Sequence, residues 1–472
     1  MSQPEPAPVS FFARHRLALI IGGGALAFIL LATGALFAGA AVGTARSDAA
    51  ADSTSAPSDE AEPQRVVPGE LPAANPVRTC TVNSLAKDER LMSLSAYVTN
   101  LDTGDVLFDR DGELPARTGS LLKLLTATAA LQVLGPDYQL TTAVYAGDTP
   151  GTIVLRGGGD PTISHVIKDS YYPGAPKLQT LADAAVAAYA ASNPGVPITN
   201  IVLDATYWNT SDRWLPSWDR SEQTTGYLSE VVSLQVDGDR ENPKKAVSPR
   251  STDPVMAAGT WFAKAIKVPG ATLSLGSVPA NAVELASVKS QPVGDLITQM
   301  LLTSDGTLAE SIARVTSIEA GSDGSAASLQ DVITGELTDL GLDTSEVSIV
   351  DGSGLSDENA VSPQFMTQLI ALLKQGDNNL NIVYDALPVA GETGSLASRF
   401  TGDNAVAKGK ILAKTGWIDT EYALAGVANA EDGTTLAFAF YAIGDGIKPT
   451  ANDALDSLAA AIYTCGNNLS NR

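Results

Sequence analysis

The chain has 472 residues, of which 44% are hydrophobic and 18% are charged, so it is long enough for two domains with a sizeable core. Its formal net charge of −23 disfavours a nucleic-acid partner, because nothing in such a composition would neutralise phosphates. Two histidines and two cysteines are too few for a histidine-based zinc site.

The N-terminal region predicts an exported protein. Residues 1–16 form a basic flank that ends in Arg14-His-Arg16, and residues 17–43 form an uncharged apolar segment. This segment exceeds the ~20 residues that span a bilayer, which favours a single-pass membrane anchor. A cleaved signal, with Ala38-Gly-Ala40 as the cleavage site, is the open alternative and would make the protein secreted. The basic flank stays inside in both cases, so the body lies outside the cytoplasm.

Residues 44–78 consist largely of Ala, Ser, Asp, Glu and Pro, which is the composition of a disordered linker. Beyond the linker, Cys80 and Cys465 stand near the two ends of the predicted folded part. A disulfide between them is the leading interpretation for an exported protein, and two unpaired thiols are the alternative. Such a disulfide would close a very long loop.

Apolar patterns predict an α+β body in two parts, residues 79–137 and 286–472, with an inserted α+β module at residues 138–285 between them. Hairpins are expected near residues 95–108 and 422–441. The other expected strands are 141–145, 152–155, 201–203 and 282–285. The other expected helices are 117–135, 181–191, 293–316, 329–340 and 452–463. Strands and helices from both ends of the chain should combine around one sheet.

Ser120 and Lys123 carry the most specific chemical signal. They are three residues apart at the start of a predicted buried helix, so their side chains share one face and can share a proton. The unpaired backbone N–H groups of a helix N-terminus also favour developing negative charge. A lysine can therefore activate this serine in place of a histidine. His165 is the only histidine outside the basic flank, and no nucleophile-elbow sequence accompanies it.

Ser-x-x-Lys alone is a weak signal, because Ser84-Leu-Ala-Lys87 matches it as well. That segment predicts a surface turn, since no apolar helix follows it. Ser304-Asp-Gly306, in a predicted helix, and Lys414-Thr-Gly416, at the start of a predicted strand, follow Ser120 in order. Ser-x-x-Lys, Ser-Asp-Asn and Lys-Thr-Gly are the motif set of penicillin-binding proteins and serine β-lactamases.

Several further segments match one branch of that group. With them, the chain from about residue 80 to 466 resembles the D-alanyl-D-alanine carboxypeptidases of the class C, low-molecular-mass penicillin-binding proteins, peptidase family S13. The segments are Gly157–Thr162, Asp351–Ser356, Ala360–Pro363, Pro388–Gly391 and Arg399–Phe400. The resemblance implies a transpeptidase fold, in which an antiparallel five-strand sheet packs against helices, the active site lies between them, and the inserted module separates the first two motifs.

The resemblance also implies the catalytic roles. Ser120 would attack a D-Ala-D-Ala peptide bond of a peptidoglycan stem peptide and form an acyl-enzyme. Lys123 would be the general base, with its pKa lowered by burial and by the positive charge of Lys414. Ser304 would relay the proton to the departing D-alanine. β-Lactams would mimic the substrate and acylate the same serine.

The third motif would bind the substrate. Thr415 would hold the terminal carboxylate, with Gly416 and Trp417 beside it, and the backbone N–H groups of Ser120 and Trp417 would form the oxyanion hole. This chemistry requires no cofactor and no metal. Asp237-Gly-Asp-Arg-Glu241 resembles the start of a calcium loop but lacks the glycine and glutamate that such a loop needs at its sixth and twelfth positions.

Two residues depart from the family pattern. Gly306 stands where the family has an Asn that holds the substrate amide and orients the lysine, and Trp417 stands where many relatives have a second carboxylate-binding Thr. Three functions therefore stay open: an active carboxypeptidase, an endopeptidase that acts on cross-links, and a catalytically weak homologue that binds peptidoglycan or a wall-synthesis partner. A β-lactamase-like hydrolase is disfavoured, because no deacylating glutamate is evident.

Two other features near these motifs have structural interpretations. Ser353, in Asp351-Gly-Ser-Gly354, is expected in a loop near the cleft and not as a second nucleophile. Three tryptophans cluster in the inserted module, where core packing or loop anchoring is favoured over stacking on a glycan. They are Trp208, Trp214 and Trp218.

Overall fold

The computed structural model describes residues 77–209 and 211–471. The predicted basic flank and apolar segment, and the linker up to residue 76, lie outside these ranges. The strands in chain order are β1 (Cys80–Thr81), β2 (Ser93–Asn100), β3 (Val106–Arg110), β4 (Thr141–Ala146), β5 (Thr152–Gly157), β6 (Asn200–Asp204), β7 (Thr272–Leu275), β8 (Glu284–Lys289), β9 (Ile411–Ile418), β10 (Glu421–Asn429), β11 (Thr435–Ile443) and β12 (Leu469–Ser470).

The α-helices lie between the strands, five of them consecutively between β8 and β9, and several begin and end at recognisable residues. Ser362 caps α8 through the N–H of Phe365, with Pro363 in the first turn, and Gly135 ends α1 at a φ of +75°. The helices in chain order are α1 (Lys123–Leu134), α2 (Leu178–Ser192), α3 (Ser221–Thr225), α4 (Pro254–Ala265), α5 (Val293–Thr303), α6 (Gly306–Glu319), α7 (Ser328–Asp339), α8 (Pro363–Gln375), α9 (Asn381–Asp385) and α10 (Ala451–Cys465).

Five strands form an antiparallel sheet in the order β3-β2-β11-β10-β9. Successive side chains of a strand point to opposite faces of the sheet, and here the side chains on the two faces differ in size. Small residues such as Ala423 and Ala425 pack in the cluster that contains α1, whereas larger ones such as Leu424 and Phe440 pack in the cluster that contains α10. The small residues let the helices on the first face approach the sheet closely.

A second sheet has the order β7-β6-β5-β4-β8 and is mixed, because β5 pairs with β6 and β6 with β7 in parallel. Helices α2 and α4 pack on this sheet around their own apolar cluster. The sheet lies between Ser120 and Ser304 in the sequence, as an inserted α+β module does. Its last strand, β8, extends to Lys289, four residues beyond the predicted end of the module at residue 285.

The two ends of the described chain meet. Cys80 and Cys465 form a disulfide, with their Cα atoms 5.6 Å apart, and β1 pairs with β12 in parallel. Arg78, the last residue of the predicted linker, forms an ion pair with Asp105 at 2.7 Å. Within the described ranges, no helix has both the length and the apolar content needed to cross a bilayer.

Candidate active site

Ser120 and Lys123 lie together, as their spacing predicts. Ser120 belongs to a 3-10 turn, Gly119–Leu122, and α1 begins at Lys123. Ser120 is therefore just before the α-helix and not inside it. The Nζ atom of Lys123 is 2.9 Å from the Oγ atom of Ser120 and donates a second hydrogen bond, 2.6 Å long, to the carbonyl of Ser353. These two contacts hold the amine at the serine.

Two glycines allow strand β9 to touch the turn that carries Ser120. Gly119 has a φ of +46°, and a Cβ there would lie 2.7 Å from the backbone nitrogen of Trp417. A Cβ on Gly416 would lie 2.6 Å from the carbonyl of Thr118. Both distances are too short for a real side chain, so only glycine permits this approach. The backbone of Trp417 consequently lies against the turn that presents Ser120.

The second and third motifs meet on the opposite side of the same space. Lys414 is buried in β9, and its Nζ atom donates to the Oγ atom of Ser304 at 2.9 Å and to the carbonyl of Thr415 at 2.8 Å. The hydroxyl of Thr415 lies 2.9 Å from that of Ser395, a residue that no sequence motif indicates. Lys414 lies inside the strand and not at its start.

The prediction that Ser304-Asp-Gly306 lies within a helix is wrong. The expected helical stretch 293–316 is two helices, because Ser304 ends α5 in the left-handed conformation, with a φ of +57°, and Asp305 begins the cap of α6. A non-glycine residue with this φ is unusual and turns the chain sharply. The break aims the Ser304 side chain at Lys414 instead of along a helix.

Ser120, Lys123, Ser304 and Thr415 face one cavity of about 220 Å³, whereas Lys414 and Gly416 do not line it. The predicted site residues that line it are Ser120, Lys123, Ser304, Gly306, Ser353, Thr415 and Trp417. Five other lining residues were not predicted as part of the site from the sequence: Glu222, Tyr227, Leu228, Thr303 and Leu355. The ring of Trp417, 38% exposed, lies 5.9 Å from the Tyr227 ring, so two aromatic side chains form one wall.

Burial lowers the pKa of Lys123 to about 8, and the nearby carboxylates of Asp351, Glu310 and Asp305 oppose that effect. From the sequence, burial and the charge of Lys414 were both expected to lower the pKa of Lys123, and the carboxylates were not anticipated. Repulsion between the two lysines is evident at Lys414, where burial and then the charge of Lys123 hold the pKa well below its usual value. A base with a pKa of about 8 has a substantial neutral fraction near neutral pH.

The loop behind Lys123 is held by buried carboxylates. Asp351 accepts hydrogen bonds from the N–H groups of Ser353 and Gly354, and Trp218 donates to it through Nε1 at 2.8 Å. Glu310, which is fully buried on α6, accepts from the N–H of Gly352 at 3.0 Å. These contacts place the Ser353 carbonyl that receives Lys123, and they give Trp218 the anchoring role favoured from the sequence.

Asp305, the middle residue of the second motif, was also missed. Its position before a helix predicts a cap, and it does accept from the N–H of Leu308 at 3.0 Å.

The residues of the other Ser-x-x-Lys match, Ser84 and Lys87, are both exposed and lie in or beside short 3-10 turns only. His165 pairs with Asp237 at 2.6 Å in the inserted module.

Comparison with known proteins gives a consistent result. A sequence model of the D-Ala-D-Ala carboxypeptidase 3 (S13) family matches residues 79–246 and 229–462. Carboxypeptidase DacB of Mycolicibacterium smegmatis is 33% identical over 452 residues, covering 94% of this chain and 95% of the relative.

Solved structures share the fold. Penicillin-binding protein 4 (dacB) of Haemophilus influenzae superimposes with a TM-score of 0.66 at 19% identity, covering 81% of this chain and 98% of that one. Its complex with a β-lactam gives a TM-score of 0.59 at 18% identity over the same shares. The fold is thus the one shared by penicillin-binding proteins and serine β-lactamases, and the chain belongs to the D-Ala-D-Ala carboxypeptidase 3 (S13) family.

Proposed function

We propose that this protein is a serine D-Ala-D-Ala carboxypeptidase that trims peptidoglycan stem peptides through an acyl-enzyme on Ser120. The observation that carries the proposal is the pairing of Lys123 with Ser120 and of Lys414 with Ser304, each at 2.9 Å, around one cavity. Family membership supports the substrate class, and the fold shared with a β-lactam complex supports inhibition by β-lactams.

In the acylation step, the neutral amine of Lys123 takes the proton of Ser120 while Oγ attacks the carbonyl carbon between the two D-alanines. The amine keeps its hydrogen bond to the Ser353 carbonyl, so its lone pair stays directed at Oγ. The backbone N–H groups of Ser120 and Trp417 stabilise the oxyanion. The new O–C bond then replaces the C–N bond.

The leaving amine must be protonated as the C–N bond breaks. Ser304 relays the proton from Lys123 to the nitrogen of the departing D-alanine, and Lys414 polarises the Ser304 hydroxyl from 2.9 Å. Thr415 binds the terminal carboxylate, and Trp417 flanks it with its ring. Water, activated by the same lysine, then hydrolyses the ester and releases the shortened peptide.

Labelling with a fluorescent penicillin tests the proposal. We expect one label per chain, located at Ser120 by mass spectrometry and absent from the Ser120→Ala variant, and D-alanine release from a pentapeptide. Absence of labelling in folded protein would favour the alternative that Gly306 and Trp417 suggest, a catalytically weak homologue that binds peptidoglycan. Labelling without D-alanine release would reject the carboxypeptidase activity and leave cross-link cleavage to be measured on a cross-linked dimer.

We also propose that residues 17–43 anchor the protein in the membrane with the body outside the cytoplasm. The support is the uncharged length of this segment after the basic residues Arg14 and Arg16. We expect the full-length chain in the membrane fraction and a chain lacking residues 1–43 in the soluble fraction. A mature N-terminus near residue 41 would show instead that the segment is a cleaved signal.

A further inference from the structure

Asp305 connects the second motif to a buried polar cluster of the inserted module. One carboxylate oxygen caps α6 through the N–H of Leu308 at 3.0 Å. The other accepts from the Nη2 atom of Arg240 at 2.8 Å and from the hydroxyl of Tyr172 at 3.1 Å. Both of these donors belong to the module, 65 and 133 residues before Asp305. One side chain therefore joins the catalytic body to the insert.

Arg240 is buried, and its side chain is held by several contacts. Its side chain is 2% exposed, and its guanidinium carbon lies 4.0 Å from the ring centre of Tyr171 and 4.8 Å from that of Tyr172. The remaining donors reach the hydroxyl of Tyr172 and the carbonyls of Asp237 and Ala246. A guanidinium with its donors satisfied in this way fixes the position of its carboxylate partner.

The ion pair keeps Asp305 charged inside the protein. Burial alone would raise the pKa of Asp305, but Arg240 and then Arg250 outweigh it and lower that pKa. Removing Arg240 would leave a buried carboxylate without its main partner, which a folded protein tolerates poorly. The chain around Asp305 would then have to move toward solvent or rearrange.

Ser304 is the residue that such a movement would displace first. It precedes Asp305, and its φ of +57° is a conformation that a non-glycine residue keeps only when its surroundings enforce it. Its N–H and that of Asp305 both donate to the carbonyl of Met300, and its hydroxyl receives Lys414. The side chain of Asp305 is the next constraint along the chain.

We propose that Arg240 is a positioning residue for Ser304, so that the inserted module, through Asp305, sets the alignment of the proton relay. The inference rests on the proposed function for the role of Ser304 and extends it to the module. Arg240 does not line the cavity and acts only through Asp305. Tyr172 supports the same carboxylate and is the weaker of the two contacts.

The relay gives this role a chemical signature. An amine leaves only with a proton, whereas a thiolate leaves without one, so a displaced Ser304 slows peptide cleavage more than thioester cleavage. A general loss of packing or of substrate binding would slow both reactions equally. The probe pair is therefore a D-Ala-D-Ala-terminated peptide and the thioester analogue with the same acyl part.

The experiment compares Arg240→Met, Tyr172→Phe and Ser304→Ala in the full chain. For Arg240→Met we expect kcat/KM for the peptide to fall about 10- to 100-fold, part of the roughly 100- to 10,000-fold that general acid–base catalysis contributes, because Ser304 is displaced and not removed; kcat/KM for the thioester should fall less than about 3-fold. Tyr172→Phe should give the same pattern with a smaller loss. Adding Arg240→Met to Ser304→Ala should cause no further loss.

Arg399→Met is the matched control, because Arg399 forms a mostly buried ion pair, 2.7 Å long, with Asp456 on α10, beside the other apolar cluster of the sheet. We expect Arg399→Met to change kcat/KM for the peptide and for the thioester by the same small factor. Equal losses for peptide and thioester in Arg240→Met, or additive losses with Ser304→Ala, would overturn the inference.

Two further measurements separate the inference from the proposed function. If Arg240→Met does not fold, Tyr172→Phe is used instead, because it keeps the aromatic packing. Its loss of kcat/KM for the peptide is then compared with its loss for the thioester, and the variant is combined with Ser304→Ala in a double-mutant cycle. If wild-type protein cleaves neither substrate, the proposed function fails. A crystal structure of Tyr172→Phe then decides the inference by the Ser304–Lys414 distance: an unchanged 2.9 Å overturns it, and a longer distance supports it.

Discussion

Restoring the missing amide of the second motif, by Gly306→Asn, should speed acylation of Ser120. Gly306 is the first residue of α6, and it lines the cavity that holds Ser120. A Cβ there would meet the Leu228 Cδ1 atom at 3.4 Å, the Tyr227 carbonyl at 3.8 Å and the Ser353 Cβ atom at 3.9 Å. These are ordinary contact distances, so the backbone need not move to admit a side chain.

The expected gain follows from one hydrogen bond. A neutral hydrogen bond contributes about 0.5–1.5 kcal/mol net, and about 1.4 kcal/mol corresponds to tenfold in rate. If the amide at position 306 binds the substrate only as the transition state forms, the second-order rate of labelling by a fluorescent penicillin should rise about 2- to 12-fold. Stopped-flow fluorescence measures this rate directly, before hydrolysis of the acyl-enzyme contributes.

Gly306→Ala is the matched control. It adds the same Cβ without an amide, and it should raise the free energy of unfolding by about 0.4–1 kcal/mol while leaving the labelling rate unchanged. An unchanged or lower rate for Gly306→Asn in folded protein would refute the reasoning, because another group would then already hold the substrate amide. An equal gain in both variants would assign the effect to the helix and not to the amide.

Three further predictions concern the same site and the frame around it. Because Lys123, with a pKa of about 8, must be neutral to act as a base, its neutral fraction and the labelling rate should rise about tenfold between pH 7 and pH 9, and a flat profile would contradict its role. Glu310→Gln removes a negative charge that raises that pKa, so the midpoint of the profile should move below pH 8; an unmoved midpoint would show that the two groups do not interact. Replacing Cys80 and Cys465 together by Ser should lower the free energy of unfolding in urea by about 2–5 kcal/mol, because the disulfide joins residues 385 positions apart and restricts the unfolded chain. Equal stability of the variant and the wild type would contradict this effect.

Much of the site was predictable from the sequence because its chemistry is local. Ser120 and Lys123 are three residues apart, and any helical or 3-10 turn places them on one face. Lys414-Thr-Gly416 lies on one strand, where alternation sends Lys414 and Gly416 to one face and Thr415 to the other. The strands near residues 141–145 and 435–441 were predicted to within a few residues for the same reason.

The errors occur where long-range contacts override local preference. The stretch 293–316 has apolar residues at helical spacing on both sides of Ser304-Asp-Gly306, and this periodicity hides the left-handed Ser304 that separates α5 from α6. That conformation is held by contacts to Lys414 and, through Asp305, to Arg240, which are distant in sequence. The carboxylates that raise the pKa of Lys123 were missed for the same reason, because Glu310 comes near the lysine only in the folded chain.

The sequence by itself determined the family and predicted the nucleophile and its base, since these depend on residue types at short spacings along one turn and one strand. Only the tertiary structure decided how Ser304 is aimed, which carboxylates surround Lys123 and that Arg240 of the inserted module supports the second motif. The physical reason is burial: Arg240 and Asp305 are 65 residues apart, and only folding removes both from water and makes their pairing necessary.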